Sequence, residues 1–147
     1  MTVRSILFAS VLACIFSSVA AADTLQGDGT VEIHCEIACS VTITDAPAGG
    51  LYVIARDAEG ERWERFAADA ISQVRFIGSA ANDVLIVDAQ TPLAVEAHGR
   101  GGDDYLSGNS ENDILVGGPG RDVIEAGESS DLCALDEGDM ASRCDRR

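Results

Sequence analysis

A period of nine residues runs through the C-terminal part of the chain and limits the folds that it can form. Four aspartates recur at this spacing, and an apolar residue follows each of them two positions later: Asp104 with Leu106, Asp113 with Leu115, Asp122 with Ile124, and Asp131 with Cys133. Nine residues match neither the helical turn of about 3.6 residues nor the heptad of a coiled coil. They match a six-residue turn followed by a three-residue strand. Because one such unit cannot enclose a core, the period predicts a fold of stacked repeats.

Residues 117–125, GGPGRDVIE, are the most regular copy of the repeat. Gly117, Gly118 and Gly120 permit positive φ and a close approach between stacked turns. Asp122 presents a hard anionic oxygen of the kind that calcium prefers, and Ile124 faces the core from the short strand. This copy matches the pattern G-G-x-G-x-D-x-U-x at every fixed position, and it resembles the haemolysin-type calcium-binding nonapeptide repeat (RTX) family.

The other copies of the repeat depart from this pattern at positions where the motif has glycine. These copies are residues 78–86 (GSAANDVLI), 99–107 (GRGGDDYLS), 108–116 (GNSENDILV) and 126–134 (AGESSDLCA). The first of them is separated from the rest, since Asp83 precedes Asp104 by 21 residues, which equals two repeats and an insertion of three. Asn109, Glu111 and Ser129 stand at glycine positions in the copies that begin at residues 108 and 126.

The resemblance implies an all-β fold, a right-handed parallel β-roll or β-solenoid in which successive turns alternate between two edges. It implies calcium between turns two repeats apart, so that Asp104 and Asp122 share one edge and Asp113 and Asp131 share the other. A third site follows if Asp83 stacks on Asp104. The metal-binding residues implied in this way are Asp83, Gly99, Gly101, Gly102, Asp104, Asp113, Gly117, Gly118, Gly120, Asp122 and Asp131. The alternative without metal is that the aspartates only accept hydrogen bonds from turn amides.

The first 22 residues have the pattern of a secretory signal peptide. Arg4 lies in a short basic segment, residues 6–16 are apolar, and three alanines at 20–22 form a small-residue cleavage site. Cleavage after Ala22 is favoured, and cleavage after Ala20 is the alternative. The apolar run is too short to span a bilayer stably, and no longer one follows it. We therefore expect an exported chain, secreted or periplasmic, without a membrane span.

The net charge of the chain limits the kinds of molecule that it can bind. The formal net charge is −15, and it becomes −16 when Arg4 leaves with the leader, since all ten basic residues are arginines. Such acidity argues against nucleic acid and anionic lipid surfaces as partners and favours divalent cations. The charge agrees with the calcium ions that the resemblance implies as the ligand, and a protein or surface partner is left unidentified.

Four cysteines remain after removal of the leader, and an even number in an exported chain predicts disulfides. We favour the pairs Cys35–Cys39 and Cys133–Cys144, although the sequence leaves three pairings open. His34 beside the first pair could belong to half of a zinc site, but no second half of suitable spacing follows. A disulfide is the favoured interpretation.

The N-terminal half carries strand signals. Apolar residues alternate with others over residues 31–55, and residues 51–56 and 61–66 predict a hairpin. Its predicted core contains four aromatic residues: Tyr52, Trp63, Phe66 and Phe76. The chain is thus divided into a signal peptide (1–22), a β-rich cap with the hairpin (23–77), an RTX-like β-roll (78–134) and a C-terminal tail tied by a disulfide (135–147).

No motif for catalysis is present in the sequence. There is no HExxH, no G-x-S-x-G, no P-loop and no dinucleotide-binding fingerprint. We therefore predict an exported calcium-binding protein and not an enzyme, with folding coupled to ion binding. The alternative is a surface adhesion or interaction protein that uses the solenoid as a scaffold, because residues at position seven of the repeats should face outward as apolar strips: Tyr105 with Val123, and Ile114 with Leu132.

Overall fold

A computed structural model describes residues 21–25, 29–47, 49–67, 69–88, 90 and 92–146. The predicted signal peptide lies outside these ranges, except for Ala21 and Ala22 at the start of the first strand. Over the described ranges the fold is all-β and contains no helix, so the all-β part of the predicted fold class is confirmed. Within these ranges, accordingly, there is no helical segment that could cross a membrane.

Fourteen strands succeed one another along the described part of the chain. They are β1 (Ala21–Leu25), β2 (Thr30–His34), β3 (Ser40–Asp45), β4 (Leu51–Asp57), β5 (Gly60–Phe66), β6 (Gln73–Ile77), β7 (Val84–Asp88), β8 (Ala94–His98), β9 (Tyr105–Ser107), β10 (Ile114–Val116), β11 (Val123–Glu125), β12 (Leu132–Ala134), β13 (Met140–Ser142) and β14 (Asp145–Arg146).

The strands form two seven-stranded sheets. Sheet 1 has the order β1-β2-β6-β8-β10-β12-β14, and sheet 2 has the order β13-β11-β9-β7-β3-β4-β5. From β6 onward the chain alternates between the two sheets, and neighbouring strands pair in parallel. The sheets as a whole are mixed, because β1 pairs antiparallel with β2, and β3, β4 and β5 form an antiparallel run at one end of sheet 2. These antiparallel pairs lie between residues 21 and 66, almost entirely in the predicted cap (23–77), where a hairpin was expected.

The core lies between the two sheets and follows the alternation of each strand. The three-residue strands of the repeats bury their central residues: Leu106, Leu115, Ile124 and Cys133. In β2 and β3 every second residue is fully buried: Val31, Ile33, Val41 and Ile43. Full burial of such side chains stabilises the fold by about 1.5–3 kcal/mol each. The predicted inward-facing positions of strands and repeats are confirmed.

The predicted hairpin is formed by β4 and β5, each one residue longer than expected at the turn. Asp57 Oδ1 closes this turn by accepting hydrogen bonds from the amides of Glu59 (2.7 Å) and Gly60 (3.2 Å). Phe66 is buried as predicted.

The prediction that Trp63 belongs to the core is wrong. Trp63 is 66% exposed, because β5 is the last strand of sheet 2 and only its final residue, Phe66, is buried. Its ring meets that of half-buried Tyr52 edge to face, at 5.7 Å between centroids. Phe76 is fully buried, as predicted.

The pairing is continuous from the N-terminal half into the repeats. β2 pairs with β6, β6 with β8, and β8 with β10, so no break in sheet 1 falls at residues 77 and 78. The tail adds β13 to sheet 2 and β14 to sheet 1. The division into cap, roll and tail stays a prediction.

Both favoured disulfides are present. Cys35 bonds to Cys39, with 6.0 Å between the Cα atoms, and Cys133 bonds to Cys144, with 5.7 Å. The first closes the loop between β2 and β3, and the second joins β12 to the segment before β14.

Candidate metal centre

The turns of the repeats stack in two sets, one at each edge of the sheets. The first edge contains turns 78–83, 99–104 and 117–122, and the second edge contains turns 108–113 and 126–131. The strands that follow the turns of one edge pair in register, which aligns the preceding aspartates. The insertion of three residues is absorbed because β7 and β8 have five residues in place of three and the turn between them has five in place of six.

On the first edge the register places Asp83 beside Asp104 and Asp104 beside Asp122, and these three form the first aspartate column. On the second edge Asp113 lies beside Asp131, and this pair forms the second aspartate column. All five carboxylates are buried, with at most 2% of each residue exposed.

In three of the five carboxylates, Oδ1 binds the neighbouring turn. Asp104 Oδ1 accepts from the amide of Asp83 (2.8 Å), and Asp122 Oδ1 accepts from the amide of Asp104 (2.8 Å). On the second edge, Asp131 Oδ1 accepts from the amide of Asp113 (2.9 Å). Asp104, Asp122 and Asp131 thus each tie two turns together, whereas Asp113 Oδ1 accepts from the amide of Val95 in β8 (2.8 Å). For this oxygen, the alternative of amide capping without metal is sufficient.

The second oxygen divides the five turns into two kinds. Asp104 Oδ2, Asp122 Oδ2 and Asp131 Oδ2 are buried and have no hydrogen-bond partner. Asp83 Oδ2 accepts from the amide of Ser79, and Asp113 Oδ2 accepts from that of Asn109. Burying a polar oxygen without a hydrogen bond costs about 1–3 kcal/mol, and burying a charged oxygen costs more. Amide capping therefore leaves three carboxylates incompletely satisfied.

Other oxygens converge on the unpartnered carboxylates of the first edge. A Cβ on Gly99 would meet both Asp104 Oδ2 and, at 2.7 Å, the carbonyl oxygen of Gly117. A Cβ on Gly117 would meet Asp122 Oδ2. Glycine at these positions lets the carboxylate approach the backbone closely, and at Gly99 a carbonyl oxygen approaches as well. Carboxylate and carbonyl oxygens are the ligands that calcium takes.

The remaining glycines keep the stacked turns close. A Cβ on Gly118 would collide with the carbonyl oxygen of Arg100, and one on Gly120 would collide with that of Gly102. Gly102 itself has a φ of +105°, the left-handed region that favours glycine. Gly101 differs, because a Cβ there would make only ordinary contacts.

Burial and mutual repulsion disfavour the charged carboxylates. Desolvation raises the pKa of Asp104 to about 6, with the charges of Asp122 and Asp83 acting in the same direction against a backbone hydrogen bond. Desolvation likewise raises the pKa of Asp113 to about 6, and it raises the pKa values of Asp122 and Asp131. A bound cation would relieve both causes.

Sequence reasoning missed the ends of the columns. Asp139 continues the first column, since its Oδ1 accepts from the amide of Asp122 (2.9 Å). At the other end the amide of Cys39 donates to Asp83 Oδ1 (2.7 Å). The available signal was Gly138-Asp139 with Ala141 two residues later, but it lies 17 residues after Asp122, one short of two periods.

A second ladder one position before the aspartates was also missed. Asn82 Oδ1 accepts from the amide of Asp103 (2.9 Å), and Asp103 Oδ1 accepts from that of Arg121 (3.0 Å). On the second edge, Asn112 Oδ1 accepts from the amide of Ser130 (3.2 Å). These side chains differ in type, but each has an acceptor oxygen. The motif allows any residue at this position, so it gave no signal.

Cys35, Cys39 and Asp83 also lie close together, with their ligand atoms within 4.8 Å of one another. The two sulfurs are bonded to each other, so they offer no thiolates to a metal. The arrangement agrees with a disulfide and not with half of a zinc site.

A family model describes the same segment as the stacked turns. The model of the RTX calcium-binding nonapeptide repeat matches residues 98–133, in four copies. Residues 98–133 are RTX repeats. The RTX segment thus contains four of the five turns and the three unpartnered oxygens of the aspartate columns, whereas turn 78–83 lies upstream of it. No curated protein and no solved structure matches the chain significantly.

Proposed function

We propose that this protein binds Ca²⁺ between turns 99–104 and 117–122 on the first edge. The observation that carries the proposal is the pair of buried, unpartnered oxygens, Asp104 Oδ2 and Asp122 Oδ2, on two turns that stack in register. The carbonyl oxygen of Gly117 approaches Gly99 from the same side as Asp104 Oδ2. The RTX family of this segment is consistent with calcium as the ion. When bound, calcium supplies positive charge to two carboxylates that are buried on neighbouring turns.

The architecture proposed for this segment is a right-handed parallel β-roll. Two observations support it: the strict alternation of β6 to β14 between the sheets, and the parallel pairing of strands two apart along the chain. In such a roll each turn contacts only its neighbours, so the stability of the segment depends on each interface between turns.

Ion binding is coupled to folding of the RTX segment. The folded chain brings buried aspartates together within a molecule of formal net charge −15, and the unfolded chain separates them. An ion that binds only the folded form stabilises it by mass action. Calcium sites of extracellular modules have dissociation constants of about 10⁻⁴–10⁻³ M, so the stabilisation acts at millimolar calcium.

The proposed location is outside the cytoplasm, secreted or periplasmic. The pattern of residues 1–22 supports export, and the two disulfides suit an oxidising compartment. In that setting the protein serves as a calcium-binding module and not as an enzyme.

Thermal melting of the exported chain tests this function. Millimolar calcium should raise the melting temperature by about 5 °C over metal-stripped buffer, since calcium at roughly ten times the dissociation constant adds about 1.4 kcal/mol. Magnesium at equal concentration is the control for ionic strength, and it should give a smaller shift because it loses its hydration water reluctantly. Identical curves in calcium, magnesium and stripped buffer would contradict the proposal.

The second candidate function is a surface-interaction protein. In favour of it, the register of β9, β11 and β13 aligns Tyr105, Val123 and Met140 on sheet 2, and Met140 is 62% exposed. Ile114 and Leu132 are neighbours on sheet 1, with 44% and 41% exposed.

A measurement of self-association tests this second candidate function. Sedimentation of the chain should change on substituting Tyr105→Ser together with Val123→Thr if the row on sheet 2 is a contact face. Unchanged sedimentation and unchanged binding to cell-wall material would leave calcium binding as the function.

A further inference from the structure

The second residue of each turn determines whether the aspartate of that turn has a free oxygen. In the three turns with an unpartnered Oδ2, the second residue has a positive φ: Arg100 at +78°, Gly118 at +101° and Gly127 at +111°. In the two turns whose Oδ2 is satisfied, the second residues, Ser79 and Asn109, lie outside the left-handed region. The correspondence holds in all five turns.

The two satisfied turns share a local arrangement that holds this conformation. The Ser79 hydroxyl accepts a hydrogen bond from the amide of Ala81 (3.1 Å), and Asn109 Oδ1 accepts one from the amide of Glu111 (2.8 Å). In each case the side chain at position two caps the amide at position four. The backbone amide of position two is then directed at the aspartate, at 2.7 Å in the case of Asn109 and Asp113.

Asn109 is anchored on a second side as well. Its Nδ2 donates to the carbonyl oxygen of Leu93 at 2.7 Å, and Asn109 is 9% exposed. The same residue therefore caps its own turn and binds the preceding turn of the second edge. A glycine at this position could form neither bond.

We infer that turns 78–83 and 108–113 are closed by a backbone N–H in the place of a metal ion, so that the chain uses calcium only at its open turns. This inference rests on the proposed function for the ion itself. It also ranks the open turns. Gly99 and Gly117 let the carboxylates of their turns approach the backbone more closely than a Cβ would permit, whereas turn 126–131 begins with Ala126, which carries a methyl group at that position. Calcium is therefore concentrated at the pair of turns 99–104 and 117–122.

A consequence follows for the metal-free protein. The turns that are closed by hydrogen bonds hold without an ion, and they include turn 78–83, which joins β6 to β7. The open pair on the first edge is the part that loosens when calcium is removed.

Replacing aspartate by asparagine separates the two kinds of turn, because the substitution keeps one acceptor oxygen and removes the charge. In the open turns, Asp104→Asn and Asp122→Asn keep the Oδ1 bond and place an uncharged amide where the unpartnered oxygen was. Each should weaken calcium affinity tenfold or more, since the number of carboxylates sets the affinity of calcium sites. Neither should lower the melting temperature in metal-stripped buffer, because an isolated buried charge is removed.

Asp113→Asn is the matched variant in a closed turn. Its new amide group faces the N–H of Asn109, so a hydrogen bond becomes a contact between two donors. It should lower the melting temperature in metal-stripped buffer and leave calcium affinity within about threefold of wild type, because no ligand of the ion is lost. Asp83→Asn makes the same change in turn 78–83 and serves if Asp113→Asn does not fold.

Calorimetric titration with calcium and thermal melting in stripped buffer, made on all four variants, decide the inference. We expect the variants of the open turns to lose calcium affinity and to keep their metal-free melting temperature. We expect the variants of the closed turns to keep calcium affinity and to melt at a lower temperature. Equal losses of affinity for Asp113→Asn and Asp122→Asn, or an unchanged metal-free melting temperature for both closed variants, would overturn it. If wild type binds no calcium, the proposed function fails, while the metal-free melting temperatures still test the closure of the turns.

Discussion

Arg100 holds a backbone conformation that glycine holds in the equivalent places of two neighbouring turns. Its φ is +78°, while those of Gly118 and Gly127 are +101° and +111°. A residue with a side chain is strained in the left-handed region by about 1–3 kcal/mol. Glycine avoids this strain but loses more conformational entropy on folding, which costs about 0.5–1 kcal/mol. Arg100 is exposed, so no buried contact of its side chain offsets the strain.

Arg100→Gly should therefore stabilise the protein by about 1 kcal/mol, which raises the melting temperature by roughly 3–5 °C. Arg100→Ala is the matched control, because it removes the same charge and keeps the Cβ. Differential scanning calorimetry of both variants at saturating calcium measures the difference. Equal melting temperatures for the glycine and alanine variants would show that the backbone strain is not the cause.

Single residues also mark the limit of what the sequence could predict about the site. The resemblance to the RTX family was enough to predict the stacking of Asp104 on Asp122, and that of Asp83 on Asp104 if the insertion of three residues is absorbed. The part played by Asn109 could not be predicted. The motif has glycine at this position, so Asn109 counts only as a departure from it. The hydrogen bonds of Asn109 to Leu93 and Glu111 are seen only in the folded structure.

At the scale of elements, the repeat strands are too short to be stable alone. β9 to β12 have three residues each, so every strand depends on the turns and on its neighbours in the sheet. The end of this stack is held by β13, β14 and the Cys133–Cys144 disulfide. Cysteine also stands at one end of each aspartate column, with Cys39 beside Asp83 and Cys144 beside Asp131.

Replacing Cys133 and Cys144 together by alanine should destabilise the protein by about 3 kcal/mol, because the disulfide closes a loop with a sequence separation of 11. Urea unfolding measures this loss. Calcium affinity should stay close to that of wild type, because the proposed ion lies on the other edge. A double variant that is as stable as wild type, or one that stays folded but loses calcium binding, would contradict this assignment.

β13 and β14 show why part of the fold was not predicted from the sequence. The sequence led us to expect a tail tied by a disulfide, since residues 135–147 lack the nine-residue repeat. In the structure these residues still supply a strand to each sheet, because parallel pairing needs only an extended backbone and a matching register. The core positions of the N-terminal strands were easier to predict, since their alternation is a property of the sequence itself. Trp63 was misplaced because alternation does not tell which end strand lacks a covering sheet.

At the scale of the whole molecule, acidity sets the dependence of stability on pH. In the metal-free protein, burial raises the pKa values of Asp104 and Asp113 to about 6, above those of the unfolded chain, near 3.9. Between these values the folded state binds more protons than the unfolded state, so stability falls as pH rises. The formal net charge of −15 acts in the same direction through general repulsion.

We therefore expect the melting temperature in metal-stripped buffer to fall as pH rises from about 4 to about 6 and to change little above that. Calcium affinity should rise over the same interval, because protons compete for the carboxylates. Melting curves across this range, with and without calcium, measure both trends. Moderate salt is the control, since it screens surface repulsion more than it affects buried aspartates. A metal-free stability that rises with pH would contradict the burial of charge.

Retention of calcium by the folded chain, without the predicted signal peptide, tests the central claim most directly. Equilibrium dialysis at millimolar calcium should show bound ion for wild type and a loss of most of it for the Asp104→Asn/Asp122→Asn double variant. If wild type retains no calcium, or if the double variant retains as much as wild type, the ion does not lie between turns 99–104 and 117–122.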